Sequence, residues 1–107
     1  MTFNGNLPAV DAVSGVATVD LSDRTLPTTF QVTVLPGTAT GTGTVTVKPT
    51  APTGYTAAYE ALYQADGSTA FTVDLSAQVT FFVTGKIDGL KITSSETADT
   101  FSVIGGA

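Results

Sequence analysis

The sequence predicts an all-β fold, an antiparallel β-sandwich or jelly-roll-like barrel of about 7–8 short strands. Apolar and polar residues alternate with a period of two in several short segments, which Gly, Pro, Asp and Ser separate. The polar surface comes from 21 threonines and 7 serines, while only 12% of residues are charged. Threonine is β-branched and suits a pleated sheet better than a helix. The length of 107 residues predicts a single β domain over residues 1–107.

The N-terminal segment, residues 1–10 (MTFNGNLPAV), is predicted to be an extended arm. Its Asn-Gly and Leu-Pro pairs both disfavour continuous regular structure. Residues 13–21 predict a first, weaker strand, because alternate residues from Val13 to Leu21 are small or apolar. This strand is expected to end at the turn-like cluster LSDRTLP, residues 21–27.

The segment PGTATGTGTVTVKPT, residues 36–50, invites comparison with a phosphate-binding loop because its glycines are closely spaced. Such a loop needs a Gly-Lys-Ser/Thr end that opens a helix, whereas Lys48 is followed by Pro49. Threonines alternate here with glycine, alanine and valine, so we predict a strand, with the glycines marking a bulge, a bend or a close approach. The preceding residues 29–35 also predict a strand, with Val32 on its core-facing side.

Residues 55–69 are the ambiguous part of the chain. Tyr55, Tyr59 and Tyr63 fit a short helix, but Tyr59 and Tyr63 also share one face of a strand. The sequence Ala-Asp-Gly-Ser at 65–68 is a turn signal between two candidate strands. A hairpin is the favoured interpretation, and the choice between strand and short helix for residues 55–65 stays open.

Four further strands are predicted after residue 70. Residues 71–75 and 79–84 alternate between apolar and polar side chains. In GKIDGLKIT, residues 85–93, the alternation changes phase, which indicates a bulge or turn near Asp88-Gly89. The last strand is expected at residues 100–104.

Composition excludes several classes of function. The chain has no cysteine, histidine or tryptophan, so thiol chemistry, histidine-based acid–base catalysis and the commonest metal ligands are absent. Its net charge of -5 disfavours binding to nucleic acid or to an anionic membrane, and it has neither a long apolar run nor a Sec-type signal in its first 20 residues. Asp20, Asp23 and Asp74 are expected at strand ends and turns. We therefore predict no enzyme, no catalytic or metal site and no cofactor.

A subunit interface is predicted from three apolar side chains on polar positions of their strands. Phe82 shares a face with Thr80 and Thr84, and Leu35 and Ile104 are likewise on the polar side of their strands. Either such a strand is buried on both faces, or these side chains contact another chain. Leu35, Phe82 and Ile104 are therefore the candidate interface residues.

The three tyrosines, Tyr55, Tyr59 and Tyr63, form a second candidate site. An aromatic ring with a hydroxyl group can stack on a sugar or contact a partner protein. Packing within the fold is the alternative use for tyrosines that share one face.

Residues 65–95, ADGSTAFTVDLSAQVTFFVTGKIDGLKITSS, resemble small structural proteins encoded beside the capsid genes of tailed bacteriophages. The resemblance implies a β-rich subunit, often a trimer, that coats the head as a decoration or cement protein or forms head fibres. The expected partner is the major capsid protein or another virion protein, and the expected location is the virion, assembled in the host cytoplasm. The alternative is a carbohydrate-binding or immunoglobulin-like recognition domain of a fibre or adhesin. Head and tail locations both stay open.

Overall fold

The computed structural model describes residues 6–21, 29–62, 67–84 and 87–106. All regular structure in these ranges is β-strand, so the all-β prediction is confirmed. No helix in the described ranges has the length and apolar character needed to span a membrane. The strands are β1 (Asn6–Asp11), β2 (Val16–Asp20), β3 (Thr29–Pro36), β4 (Thr42–Pro49), β5 (Glu60–Ala61), β6 (Thr72–Asp74), β7 (Val79–Thr84), β8 (Ile87–Ser94) and β9 (Phe101–Gly106).

The strands form two antiparallel sheets that pack as a sandwich. The four-stranded sheet has the order β1-β9-β3-β7. The five-stranded sheet has the order β2-β8-β4-β5, and β6 also pairs with β4. Strands β5 and β6 are only two and three residues long and share one edge of β4, which raises the strand count above the predicted 7–8.

The core lies between the two sheets and follows the predicted alternation. Val32 and Val34 of β3 and Val45 of β4 are fully buried, while their sequence neighbours point away from the core. The Phe71 and Phe81 rings add a tilted aromatic contact with centroids 5.1 Å apart. The largest fully buried side chains are those of Leu21, Leu75, Leu90, Ile92, Val32, Val34, Val45 and Val103.

The glycine-rich segment is a strand from Thr42 onward, as the alternation predicts. Gly43 is on the buried face of β4, where an added Cβ would lie 2.9 Å from Ile92 Cγ2 and 3.1 Å from Leu75 Cδ1. The close approach expected at a glycine therefore occurs, and here side chains of the core make it. Before the strand, the Thr38 and Thr100 backbone N–H groups each donate to the other residue's Oγ1, at 2.9 and 3.0 Å.

The bulge predicted near Asp88-Gly89 is confirmed. Lys48 is opposite Gly89 but Pro49 is opposite Ile87, so Asp88 is the extra residue of β8. The hydroxyl of Thr50 donates to Asp88 Oδ1 at 2.9 Å. In a regular strand Ile87 and Leu90 would lie on opposite faces, but the bulge between them lets both pack against the core.

Two N-terminal predictions are corrected. From Asn6 onward the expected arm, residues 1–10, is an edge strand, because residues 6–11 pair antiparallel with β9. A register irregularity between Leu7 and Val10 accommodates Pro8, which has no N–H to donate. The predicted strand at 13–21 starts three residues later, because the chain reverses at Ser14-Gly15.

The turn at Ser14-Gly15 is a two-residue hairpin connection. Both residues have positive φ, 53° and 75°, as a type I′ turn requires. The Val13 and Val16 backbones exchange hydrogen bonds of 2.9 and 3.1 Å, and the Val13 side chain is 74% exposed. The Ser-Gly pair between two valines is a turn signal that the strand prediction for residues 13–21 passed over.

In the ambiguous segment, the described residues contain no helix, and Glu60–Ala61 is a strand paired with β4. The Phe71 N–H donates to the Leu62 carbonyl oxygen at 2.7 Å, which connects the two short edge strands. Of the segment that the hairpin interpretation covers, residues 60–61 are strand and residues 55–59 are neither helix nor strand, whereas residues 63–66, with the first half of the predicted turn at 65–68, are outside the described residues.

Candidate interaction surface

The outward side of the three strands β9, β3 and β7 carries two of the exposed large apolar side chains of the described residues, Phe82 and Ile104. Val32, Val34 and Val103 point into the core, so the intervening residues of these strands point away from it. We call this surface the β9–β3–β7 face. Its described side chains are Gln31, Thr33, Leu35, Thr80, Phe82, Ser102 and Ile104.

The fold brings all three predicted interface residues onto this face. Thr33 is at its centre, directly opposite Thr80 on one side and Ile104 on the other. Phe82 and Leu35 lie on opposite sides of this row, and each is a diagonal neighbour of one of its members. Diagonal neighbours in a sheet are about 7–8 Å apart. Leu35 and Phe82 are therefore at opposite ends of the face, with Ile104 beside its centre. The sequence showed that each of the three apolar residues occupies a polar position of its strand. Only the strand order shows that the three share one face.

Exposure differs among the three side chains. Phe82 is 66% exposed and Ile104 is 36% exposed, whereas Leu35 is half-buried. An aromatic ring exposed to this extent on a sheet face has apolar area that association would remove from water. Of the three side chains, Phe82 is the most exposed, so contact with a partner would remove the most apolar area from water there.

The hydroxyl groups of Thr33, Thr80 and Ser102 on this face already have hydrogen-bond partners. Thr33 is only 6% exposed, and its Oγ1 is 2.9 Å from Thr80 Oγ1. At the neighbouring edge strand, Ser102 Oγ donates to Asp11 Oδ1 at 2.6 Å. Burying a polar group without a partner is unfavourable by about 1–3 kcal/mol. Because these hydroxyl groups are paired within the domain, a partner could cover this face without leaving them unsatisfied.

The outward side of the five-stranded sheet is different in character. It carries Asp20, Lys48 and Lys91 among threonines such as Thr44 and Thr46. Removing such charges from water opposes binding unless a partner compensates each of them. The β9–β3–β7 face has no charged side chain among its described members. A protein partner would therefore remove fewer charges from water on the β9–β3–β7 face, which Asp11 of β1 borders opposite Ser102.

Tyr59 packs onto the five-stranded sheet. Its hydroxyl lies against Gly89, where an added Cβ would overlap it, and the Lys91 ammonium nitrogen lies 4.2 Å from the ring centroid. Burial, and secondarily the negative charge of Asp20, raises the pKa of Tyr59 above its ordinary value, so the hydroxyl stays protonated at neutral pH. A sugar could not stack on the ring face that Lys91 covers without displacing it.

The other two tyrosines do not form a site with Tyr59 in the described structure. Tyr55 is 76% exposed and follows a turn in which its N–H donates to the Pro52 carbonyl oxygen at 3.0 Å. Tyr63 is outside the described residues. The Tyr59 contact with Gly89 was not evident in the sequence, although a glycine within an alternating strand is a general sign of close approach.

The aspartates behave as turn and strand-end residues where they are described. The Ser76 N–H and Oγ donate to Asp74 Oδ1 at 2.9 and 2.6 Å, and these bonds lower the pKa of Asp74. Asp23 is outside the described residues. In the part of the chain that the structure describes, no three Asp, Glu, His or Cys side chains come together as a metal site would require.

Comparison with known proteins identifies no relative. No protein-family model matches the chain, and no curated protein or solved structure matches it either. The surfaces of the sandwich are therefore the features of this protein that bear on its function. Among the described surfaces, the β9–β3–β7 face combines exposed apolar area, internally paired hydroxyl groups and lack of charge.

Proposed function

We propose that this chain is a structural protein of a virion, a capsid decoration (cement) subunit that binds across the assembled shell. The observation that carries the proposal is the β9–β3–β7 face, on which Phe82 is 66% exposed and no described side chain is charged. The resemblance of residues 65–95 to phage head proteins supports the same role, and this stretch includes all of β7. The proposed location is the virion, with assembly in the host cytoplasm.

The fold suits a structural contact that needs no change of shape. The β9–β3–β7 face lies on strands joined by antiparallel ladders, and β3 is paired on both sides. The backbone of this face is therefore ordered before a partner binds, which limits the backbone entropy lost on association. Each bound copy would add contact area between neighbouring coat subunits and so raise the work needed to separate them.

The proposal requires a binding site that exists only after assembly. A subunit that binds across two coat proteins finds both halves of its site on a shell, but only one half on a free coat protein. Several weak contacts made together also bind much more tightly than each contact alone. Binding should therefore depend strongly on assembly.

The test is cosedimentation of the native chain with assembled heads and, separately, with free coat protein of the same virus. We expect saturable binding to heads, with an affinity at least about tenfold higher than for free coat protein, because only the heads present the complete site. Heads treated with the decoration subunit should also resist disruption by heat better than untreated heads. Equal affinity for both forms of the coat protein, or no binding to heads, would contradict the cement role.

A further inference from the structure

Strand β7 is the outermost strand of the four-stranded sheet. It pairs with β3 along Val79 to Thr84 without a register shift, and no described strand pairs with its other edge. In an antiparallel sheet every second residue of such a strand directs its N–H and C=O groups away from its neighbour. The free edge of β7 therefore offers a row of hydrogen-bond donors and acceptors.

The other outer strands carry features that discourage pairing with a further strand. Strand β1 contains Pro8 and an irregular register, and β5 and β6 are two and three residues long. Strand β2 ends on the charged residue Asp20. In contrast, β7 has six residues, VTFFVT, with no charge, proline or glycine. Natural proteins usually protect an edge of this kind, and since none of the described strands covers it, the edge is a candidate for pairing with another chain.

We propose that β7 binds β7 of a second copy of this chain, antiparallel about a two-fold axis at Phe82. Residues directly opposite each other in one sheet lie on the same face, whereas neighbouring residues of a strand lie on opposite faces. The two-fold axis must therefore pass between two copies of the same residue. Phe81 is 7% exposed and already belongs to the core, whereas Phe82 is 66% exposed. With the axis at Phe82, the two exposed rings become a cross-strand pair with Cβ atoms about 5 Å apart.

A second copy fits this edge for two physical reasons. A two-fold axis makes the donors and acceptors of β7 complementary to themselves, since both copies present the same row in opposite directions. The net charge of -5 opposes contact between copies, and β7 adds no charge of its own to that repulsion. The two β9–β3–β7 faces would then lie side by side on one continuous eight-stranded sheet.

The paired segment is short, so the dimer should be weak in solution. Stable interfaces bury about 800 Å² on each partner, and pairing about five residues of one edge strand buries less. We therefore expect a concentration-dependent monomer–dimer equilibrium, in place of the trimer that the phage resemblance implies. This inference does not depend on the proposed function, because β7 can pair whether or not the chain binds a shell.

Sedimentation equilibrium of the full chain from roughly 10 μM to 1 mM tests the proposal, with two lysine variants on the same face. Phe82→Lys places two like charges opposite each other at the axis and should weaken the dimer at least about tenfold. Ile104→Lys adds the same charge on β9, two strands from the edge, and should leave the dimer affinity within about twofold of native. Circular dichroism checks that both variants fold.

A single introduced cysteine tests the register, because the chain has no cysteine of its own. Under mild oxidation Phe82→Cys should form a disulfide-linked dimer, since the axis brings the two positions within bonding reach. Thr80→Cys is on the same strand and face, but in this register its two copies are about 13 Å apart along the strands and should crosslink at least tenfold more slowly.

A native chain that stays monomeric at 1 mM, a trimer, or equal crosslinking at both positions would overturn the pairing. So would equal weakening of the dimer by Phe82→Lys and Ile104→Lys. A monomer that still binds heads would contradict this inference alone, whereas a dimer that does not bind heads would contradict only the cement role.

Discussion

Replacing Gly15 by alanine is expected to lower the free energy of unfolding by about 3 kcal/mol. Gly15 has φ of +75°, a region in which an L-residue is strained by about 1–2 kcal/mol. The added Cβ would also meet the Glu96 carbonyl oxygen at 2.5 Å and the Thr97 Cα at 3.1 Å. Both atoms belong to the backbone of the turn between β8 and β9, so the overlap can be relieved only by moving that turn.

Gly54 is the matched control for this substitution. It has φ of +91° in the turn from Pro52 to Tyr55, but an added Cβ would meet no atom within 4 Å. Gly54→Ala should therefore lower the free energy of unfolding by only about 1 kcal/mol, through backbone strain alone. Urea denaturation of both variants gives the comparison. Equal losses of stability would mean that the Gly15 turn does not pack against residues 96–97 as described.

Ile92→Ala is expected to be the most damaging single truncation, with a loss of about 4 kcal/mol. Ile92 is fully buried at the centre of the five-stranded sheet, opposite Ala17 on β2 and Val45 on β4. Truncation of a buried isoleucine to alanine lowers stability by about 2–5 kcal/mol, and the loss is greatest where neighbours cannot fill the cavity. Ala17 and Gly43 are too small to do so. The effect should therefore fall in the upper half of that range.

Two further substitutions calibrate this measurement. Ile92→Val removes one methyl group and should lower the free energy of unfolding by about 1 kcal/mol. Thr93→Ala changes the next, exposed residue of β8 and should have an effect within about 0.5 kcal/mol. Thermal or urea unfolding monitored by circular dichroism ranks the three variants. If Ile92→Ala were no more damaging than Thr93→Ala, Ile92 could not be at the centre of the core.

Most strands could be predicted because a half-buried strand leaves a local signal. In β4 and β7 the residues that the alternation places toward the core are buried or half-buried and the intervening residues are more exposed, whereas in β3 the outward Thr33 is buried together with Val32 and Val34. The phase change near Asp88 indicated a bulge because one extra residue must move every later side chain to the other face. Local steric and solvation rules are sufficient for features of this kind.

The predictions failed where structure depends on partners distant in sequence. Pro8 suggested an irregular arm, but pairing with β9, which begins at Phe101, holds this segment as an edge strand. Tyr59 meets Gly89 and Lys91 only because the fold brings β8 beneath it, which no local pattern reveals. The sequence showed that Phe82 occupies a polar position of its strand. That Phe82 and Ile104 share one face could be seen only from the strand order.

The affinity of assembled heads for two lysine variants tests the proposal that the β9–β3–β7 face binds the shell. Ile104→Lys puts a charge beside the centre of that face, and Thr44→Lys puts one at an exposed, outward position of the opposite sheet. Both positions are on strands paired on two sides, so the changes are closely matched. We expect Ile104→Lys to bind heads at least about thirtyfold more weakly than the native chain, and Thr44→Lys within about twofold of it. Native affinity of Ile104→Lys together with loss of binding by Thr44→Lys would contradict the assignment of this face.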